Sequence, residues 1–411
     1  MSYYPKEANP LYERYSTRAV AHTLRVYSKY TFDYPYPVAI SVEASNGMEY
    51  PMICFNYGRP EKDGTYTERI KYGMISVIIH EVGHFYFPMI VNSDERQWTW
   101  MDEGLNTYLQ FITEQEWDRN YPSRRGPPKN IVSYMKGNKN NISPIMTNSE
   151  SIYQFGNNAY GKPATALNIL RETIVGRELF DFAFKEYSKT WMFKHPTPSD
   201  FFRILENASA VDLDWFWRGW FYGTDPVDLS IDNVAWYTLD TKNPDIEFPL
   251  RKKKKDEEPI QIWQERNKIE IQETVVEVDE VANDFYNKYD PFEVTILDKE
   301  EFSRYRDSSV VEPREKEIYN ANLNYYEIKF SNVGGLVMPI ILQLNYDDGT
   351  NFIIKIPAEI WKMNRKQITK IVATKKQVSS FTLDPKLETA DIDLLNNHWP
   401  RKMIQSKFEL Y

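Results

Sequence analysis

Two rhythms of hydrophobic and polar positions divide this chain. Up to about residue 225, apolar and aromatic positions recur mostly at helical spacing. They predict a helix over residues 10–30, a second from 68 to about 89, a third over 94–117, and amphipathic helices over 158–175, 177–191, 199–208 and 213–221. Pro198-Ser199-Asp200 is a helix-start signal. Residues 38–44 alternate like a strand, and 52–55 form a second one after a turn at Gly47. Residues 56–66 and 119–150, rich in turn formers, read as loop. The rhythm changes after Gly223-Thr224-Asp225-Pro226. Alternating stretches over 228–239, 325–330, 336–346, 351–357, 368–374 and 379–383 predict strands, with a hairpin turn at Asp347-Asp348-Gly349. The expected fold is α+β, with the later strands forming a β-sandwich.

Between the two halves the signal weakens. Residues 251–259 are a charge run, four lysines followed by acids, and read as a solvated hairpin or linker rather than a phosphate site. Residues 260–320 are charged and fit neither period clearly.

Composition excludes several function classes. A length of 411 residues suffices for two or three domains with a substantial core. The net charge of −9 counts against nucleic acid and anionic membrane surfaces as partners. The 15% of aromatic residues, with 29 Tyr and 11 Trp, reads as core packing rather than a stacking surface. One cysteine, Cys54, allows no disulfide within the chain and leaves the compartment open. No stretch is long and apolar enough for a transmembrane helix, and Met1-Ser2-Tyr3-Tyr4-Pro5 has neither the basic nor the apolar part of a signal peptide.

The candidate chemistry sits in the second predicted helix. His80-Glu81-Val82-Gly83-His84 places two imidazoles at i and i+4, on one helical face, where both can bind one zinc ion. Glu81 follows the first and can act as general base. Glu103, in Met101-Asp102-Glu103-Gly104 on the third helix, is the candidate third ligand. Two His and one Glu leave a fourth position open, the pattern of a catalytic zinc. The alternative is a helix face carrying one buried and one solvated histidine. Against it, two of only five His fall in this pattern, and the preceding residues 74–79 are almost all apolar, so a polar face there needs a reason. His22, His195 and His398 read as non-ligands. Asp102 and Glu95 are candidates for orienting the histidines.

With these motifs the chain resembles the gluzincin aminopeptidases, of the aminopeptidase N and leukotriene hydrolase type. H-E-x-x-H followed by Glu103 in a D-E-G context is similar to the family pattern. Gly47-Met48-Glu49-Tyr50-Pro51 lies where the family carries its G-x-M-E-N strand, and Tyr160-Gly161-Lys162-Pro163-Ala164 where it carries Y-x-K-x-A. The resemblance is clear over residues 10–223. Asp102 stands where Asn is commoner, and Phe85-Tyr86-Phe87-Pro88 where Gln-Trp-Phe-Gly is usual.

The resemblance implies a thermolysin-like zincin domain over 1–225, a small α/β lobe plus a helical lobe. A β-sandwich domain would follow over 226–411, with the charged insertion around 250–320. It implies one zinc per chain on His80, His84 and Glu103, Tyr160 as oxyanion donor, and Glu49 as anchor for the substrate ammonium. The backbone at Gly47 and Met48 would pair with extended substrate. Peptides with a free amino terminus are then the expected partners. An amino-terminal domain of a longer parent, exported parents included, is expected to be missing here and to complete the cleft. Other readings stay open: a zinc endopeptidase or epoxide hydrolase on the same scaffold, or a binding module without catalysis.

Overall fold

The computed structural model of the protein describes residues 1–308, 321, 323–403 and 405. The first helix, α1 (Leu11–Tyr30), buries one stripe, with Leu11, Tyr12, Ala19, Val20, Val26 and Tyr27 among its inward residues. Their spacing near three and four residues is what one buried face requires. Before and after it runs a four-stranded sheet of β1 (Ser2–Tyr3), β2 (Ile40–Glu43), β3 (Met48–Tyr50) and β4 (Ile53–Asn56), in the order β1-β2-β4-β3. β2 pairs parallel with β1 and β4, and β3 pairs antiparallel with β4 and forms one edge. The Tyr12 hydroxyl donates to the Asn56 carbonyl over 2.6 Å and ties α1 to β4.

The next helix, α2 (Glu68–Gly83), starts at Thr67, whose hydroxyl accepts from the Ile70 amide. It stops earlier than residue 89. Pro88 has no N–H and biases Phe87 away from helical backbone, so His84 becomes the residue that closes α2. The third expected helix also starts late. Residues 94–98 form a turn, Trp100–Gly104 is a π-helical turn, and α3 (Leu105–Trp117) follows. Helix α4 (Val132–Met135) is one turn within the expected loop. A second π-helical turn, Gly156–Gly161, leads into α5 (Lys162–Ile169), and a third, Leu170–Ile174, follows it. Then come α6 (Arg177–Thr190), α7 (Pro198–Ser209) and α8 (Asp214–Trp220). At the start of α7, Thr197 and Asp200 cap each other reciprocally, as the Pro-Ser-Asp signal requires.

Many of the aromatic residues do pack inward. Trp100 stacks on Phe202 at 5.8 Å and meets Phe201 and Phe221 edge-on. Phe202 in turn stacks on Trp217 at 4.5 Å. This cluster fixes the turn that carries Glu103 to α7 and α8.

The described residues divide into two compact units. The first contains residues 1–234, 328–370 and 378 onward; the second contains 235–327 and 371–377. Besides the elements above, the first unit holds the antiparallel sheet of β7 (Ile340–Tyr346), β8 (Asn351–Ile356), β10 (Val378–Leu383) and β11 (His398–Trp399), in the order β11-β10-β7-β8. The turn between β7 and β8 is the one expected at Asp347-Asp348-Gly349: Gly349 takes φ +80°, and its amide bonds back to the Tyr346 carbonyl. A three-stranded sheet, β5-β6-β9, is built from β5 (Leu229–Thr238), β6 (Asn324–Asn332) and β9 (Gln367–Thr374), each of which continues from one unit into the other.

The second unit corrects the reading of 251–259 as hairpin or linker. That run lies largely in α9 (Pro244–Asp256), capped by Asn243, with Lys253, Lys254 and Lys255 in its last turn where cations suit the helix dipole. Further short helices follow: α10 (Ile262–Glu270), α11 (Val275–Val278), α12 (Phe285–Lys288) and α13 (Ile296–Ser308). Their weak apolar periodicity is why pattern alone did not place them. Residues 309–320 of the stretch left unplaced lie outside the described residues. No described helix is long and apolar enough to cross a membrane.

Candidate active site

Helix α2 buries Met74, Ile75, Ile78, Ile79 and Val82, and this packing fixes its rotation. His80 and His84 then share one face, one turn apart. Glu103 reaches the same point from the π-helical turn before α3. His80 Nε2 stands 3.0 Å from Glu103 Oε2, His84 Nε2 3.4 Å from the same oxygen, and the two Nε2 atoms 3.1 Å from each other.

The opposite nitrogens decide what these atoms can do. His84 Nδ1 lies 2.8 Å from the Phe87 carbonyl, which can only accept, so this nitrogen carries the hydrogen. Asp102 Oδ1 is a charged neighbour 3.0 Å from the same nitrogen, but the N–H is aimed at the carbonyl. His80 Nδ1 lies 2.9 Å from Gln110 Oε1. That amide is oriented by its own nitrogen, which donates to Glu114 Oε1 at 2.9 Å. His80 Nδ1 is therefore also the N–H. Both Nε2 lone pairs and a carboxylate oxygen then converge with no donor among them, and the arrangement calls for positive charge. Burial opposes charging of His84, yet Asp102 and Glu103 outweigh burial and hold its pKa well above the ordinary value. Burial likewise raises Glu103, but the neighbouring His80 and His84 outweigh it and hold its pKa low.

A metal ion fits the same place. Ligand bonds of about 2.0–2.2 Å in a tetrahedron put donor atoms about 3.3–3.6 Å apart. The three separations here lie at or slightly inside that edge, so a small expansion would admit zinc.

Around this centre the structure brings the other sequence candidates together. Glu81 is buried, and burial followed by the nearby carboxylates Glu49, Glu103 and Asp102 raises its pKa to about 8, against the opposing effect of His84. Glu49 lies on edge strand β3, and its carboxylate, that of Glu81 and a ring nitrogen of His84 all fall within 4.8 Å of one another. Gly47 passes so close that an added Cβ would stand 2.4 Å from Glu81 Oε1. Met48 is an exposed residue at the start of β3. The Tyr160 hydroxyl donates to Glu103 Oε1, and burial, then Glu103, push its pKa far up, so it stays a neutral donor. Its ring stacks on His80 at 5.7 Å.

Of the two suggested orienting acids, Asp102 stands beside His84, and Glu95 makes no hydrogen bond to either histidine among the described residues. His22, His195 and His398 bond to Thr113, Asn92 and Thr382, away from the centre. Sequence reasoning missed Gln110, Asn106 and the Phe87 carbonyl. Asn106 Nδ2 donates to the His80 carbonyl at 2.8 Å, and its Oδ1 accepts from Tyr27 of α1 at 2.7 Å. The signal was available: Glu103, Asn106, Gln110 and Glu114 form a polar stripe at spacings of three and four on a buried helix. A cavity of about 510 Å³ opens beside His80, Glu81 and Tyr160, with Phe111 and Arg125 on its walls.

Comparison with known proteins gives a consistent picture. Residues 15–220, half of the chain, match the profile of the peptidase family M1 domain. Glutamyl aminopeptidase of Sus scrofa is 29% identical over 144 residues, 34% of this chain and 15% of that protein. Probable aminopeptidase 1 of Sulfurisphaera tokodaii is 23% identical over 228 residues, 51% of this chain and 29% of that protein. The chain thus spans less than a third of the length of these relatives. The crystal structure of Legionella pneumophila aminopeptidase A in complex with aspartic acid covers 95% of this chain with 36% of its own, at 14% identity and a TM-score of 0.55, a likeness of fold. Half of the chain thus carries the family's signature, and the site lies inside it: the chain belongs to peptidase family M1.

Proposed function

We propose that the chain is the catalytic part of a zinc aminopeptidase, with His80, His84 and Glu103 as the metal ligands. The observation that carries this is the convergence of three lone-pair atoms 3.0–3.4 Å apart, each held from behind, with the Glu49 carboxylate near Glu81. A zinc ion bound there supplies Lewis acidity, which lowers the pKa of water and polarises a carbonyl. The remaining work belongs to side chains. Glu81 takes the proton of the attacking water and delivers it to the leaving amine. Its raised pKa suits both halves of that exchange. Tyr160 donates to the oxyanion as it develops. Glu49 holds the substrate ammonium by a charge-assisted bond, so hydrolysis falls one residue from the amino terminus. The edge of β3 at Gly47 and Met48 pairs with the extended peptide.

The same reading assigns 1–225 to a thermolysin-like zincin domain, which contains every proposed site residue, and 226–411 to a β-sandwich with an insertion. An endopeptidase has no ammonium for Glu49 to bind, and a binding module has no need of Glu81. The test is hydrolysis of aminoacyl chromogenic amides beside their N-acetyl forms. Cleavage of the free amines alone supports the reading. Equal cleavage of both would overturn the role of Glu49, and cleavage of neither by zinc-loaded protein would overturn the activity.

A further inference from the structure

Arg124-Arg125-Gly126 lies in the stretch expected as loop, yet its backbone is clamped. Gly126 takes φ +105°, and an added Cβ would stand 2.4 Å from the Phe111 ring, so only glycine fits. The Gly126 carbonyl accepts from Asn168 and the Arg124 carbonyl from Asn130, each over 3.1 Å. This fixed turn sends Arg125 into the cavity, where its guanidinium lies 4.2 Å from the centre of the Tyr160 ring.

Arg125 is half-buried, and among the described residues its guanidinium has no hydrogen-bond acceptor and no carboxylate at ion-pair distance. The buried Arg171 shows the contrast: it grips Asp181 through two nitrogens at 2.6 and 2.8 Å and bonds Glu172 as well. The acids nearest Arg125 are engaged elsewhere. Glu114 accepts from Ser76, Gln110 and Ser123, and Glu103 belongs to the metal centre. A guanidinium drawn partly out of water without a counterion is unfavourable for the fold, and its forked donors match a carboxylate.

The position says which part of a substrate would meet it. The cavity is walled by His80, Glu81 and Tyr160 but not by Gly47, Met48 or Glu49. A peptide anchored at Glu49 by its ammonium crosses Glu81 and enters the cavity with the residues after the cleaved bond. We propose that Arg125 binds a carboxylate on this leaving-group side, making the site selective for short peptides whose free carboxyl terminus, or an acidic side chain after the first residue, reaches it. The proposal rests on the aminopeptidase reading for the direction of the peptide. The cavity's size, about 510 Å³, is that of a site for a small ligand.

The test compares alanyl-alanine with its carboxyl-terminal amide and with alanyl-aspartyl amide, by hydrolysis with zinc-loaded protein and by calorimetric binding to Glu81→Gln. The free dipeptide should have a KM and Kd roughly 10- to 100-fold lower than the plain amide, the contribution of hydrogen bonds to a charged group. Alanyl-aspartyl amide matching the dipeptide would identify the side chain as an equal source, and matching the plain amide would leave the terminus as the source. Arg125→Met should abolish the preference, read within that variant as equal KM and equal Kd for the dipeptide and its amide. Arg125→Lys, which keeps the charge without the fork, should fall between. Equal affinity for acid and amide in the parent, or a preference that survives Arg125→Met, overturns the proposal. Turnover of an aminoacyl chromogenic amide without an acid preference would sink Arg125's role alone. An acid preference in binding without any turnover would sink the aminopeptidase reading alone.

Discussion

At the residue scale the site is a matter of which atom carries a hydrogen. The Phe87 carbonyl and the Gln110 amide oxygen hold the N–H of each imidazole away from Glu103, and this leaves both lone pairs facing the centre. Glu81 stands outside that triad, so its removal should separate binding from chemistry. Glu81→Gln should retain zinc by elemental analysis and lose kcat roughly 10²-fold or more. Tyr160→Phe should also retain zinc and lose kcat by about 10²-fold with little change in KM, because the hydroxyl serves the transition state. Near-parental kcat in either variant would contradict the role given to that residue. The ligands were legible in the sequence because helical geometry alone puts i and i+4 together. Gln110 and Arg125 were not, since one needs α3 to pack against α2 and the other depends on a turn set by contact between Gly126 and Phe111.

At the element scale, two functional side chains come from π-helical turns rather than from regular helices. Glu103 sits in Trp100–Gly104 and Tyr160 in Gly156–Gly161, each just before an α-helix. The extra residue per turn rotates the side chain relative to the following helix. Apolar periodicity does not show this, and the helices read over 94–117 and 158–175 were correct in kind but not at these positions. The edge strand is the other element that matters. β3 brings the Gly47 backbone against Glu81, and Gly47→Ala must displace that carboxylate, because the new Cβ would lie 2.4 Å from Oε1. The expected result is a fall in kcat/KM of at least about tenfold with zinc content intact, as for a displaced catalytic group. Unchanged kinetics would mean that β3 does not approach the base as described.

At the scale of the whole molecule, the helical first half and the later strands were legible because each has its own period. The stretch over 244–308 was not, since its helices are short and mostly solvent-facing, and charge without periodicity carries little information. Within the first unit, Asp391 joins the segment between β10 and β11 to β5 by accepting from the Leu229 amide at 3.0 Å. Burial raises its pKa to about 7 from 3.8, with backbone donors opposing and Asp228 and Asp384 assisting. The folded state then holds a proton that the unfolded chain releases. This contribution is complete below pH 3.8 and is lost as pH rises toward 7. Relative to Asp391→Asn, the parent's urea midpoint should therefore fall between these two pH values. A constant difference would place Asp391 in a more solvated setting.

On the proposed reading His80, His84 and Glu103 form one zinc site whose chemistry depends on Glu81. Elemental analysis of purified, zinc-equilibrated and dialysed protein tests it most directly, with the parent, Glu81→Gln and His84→Ala measured side by side. One zinc per chain is expected in the parent and in Glu81→Gln, and none retained by His84→Ala while circular dichroism shows that variant folded. Zinc retained equally by His84→Ala, or absent from the parent, would contradict it.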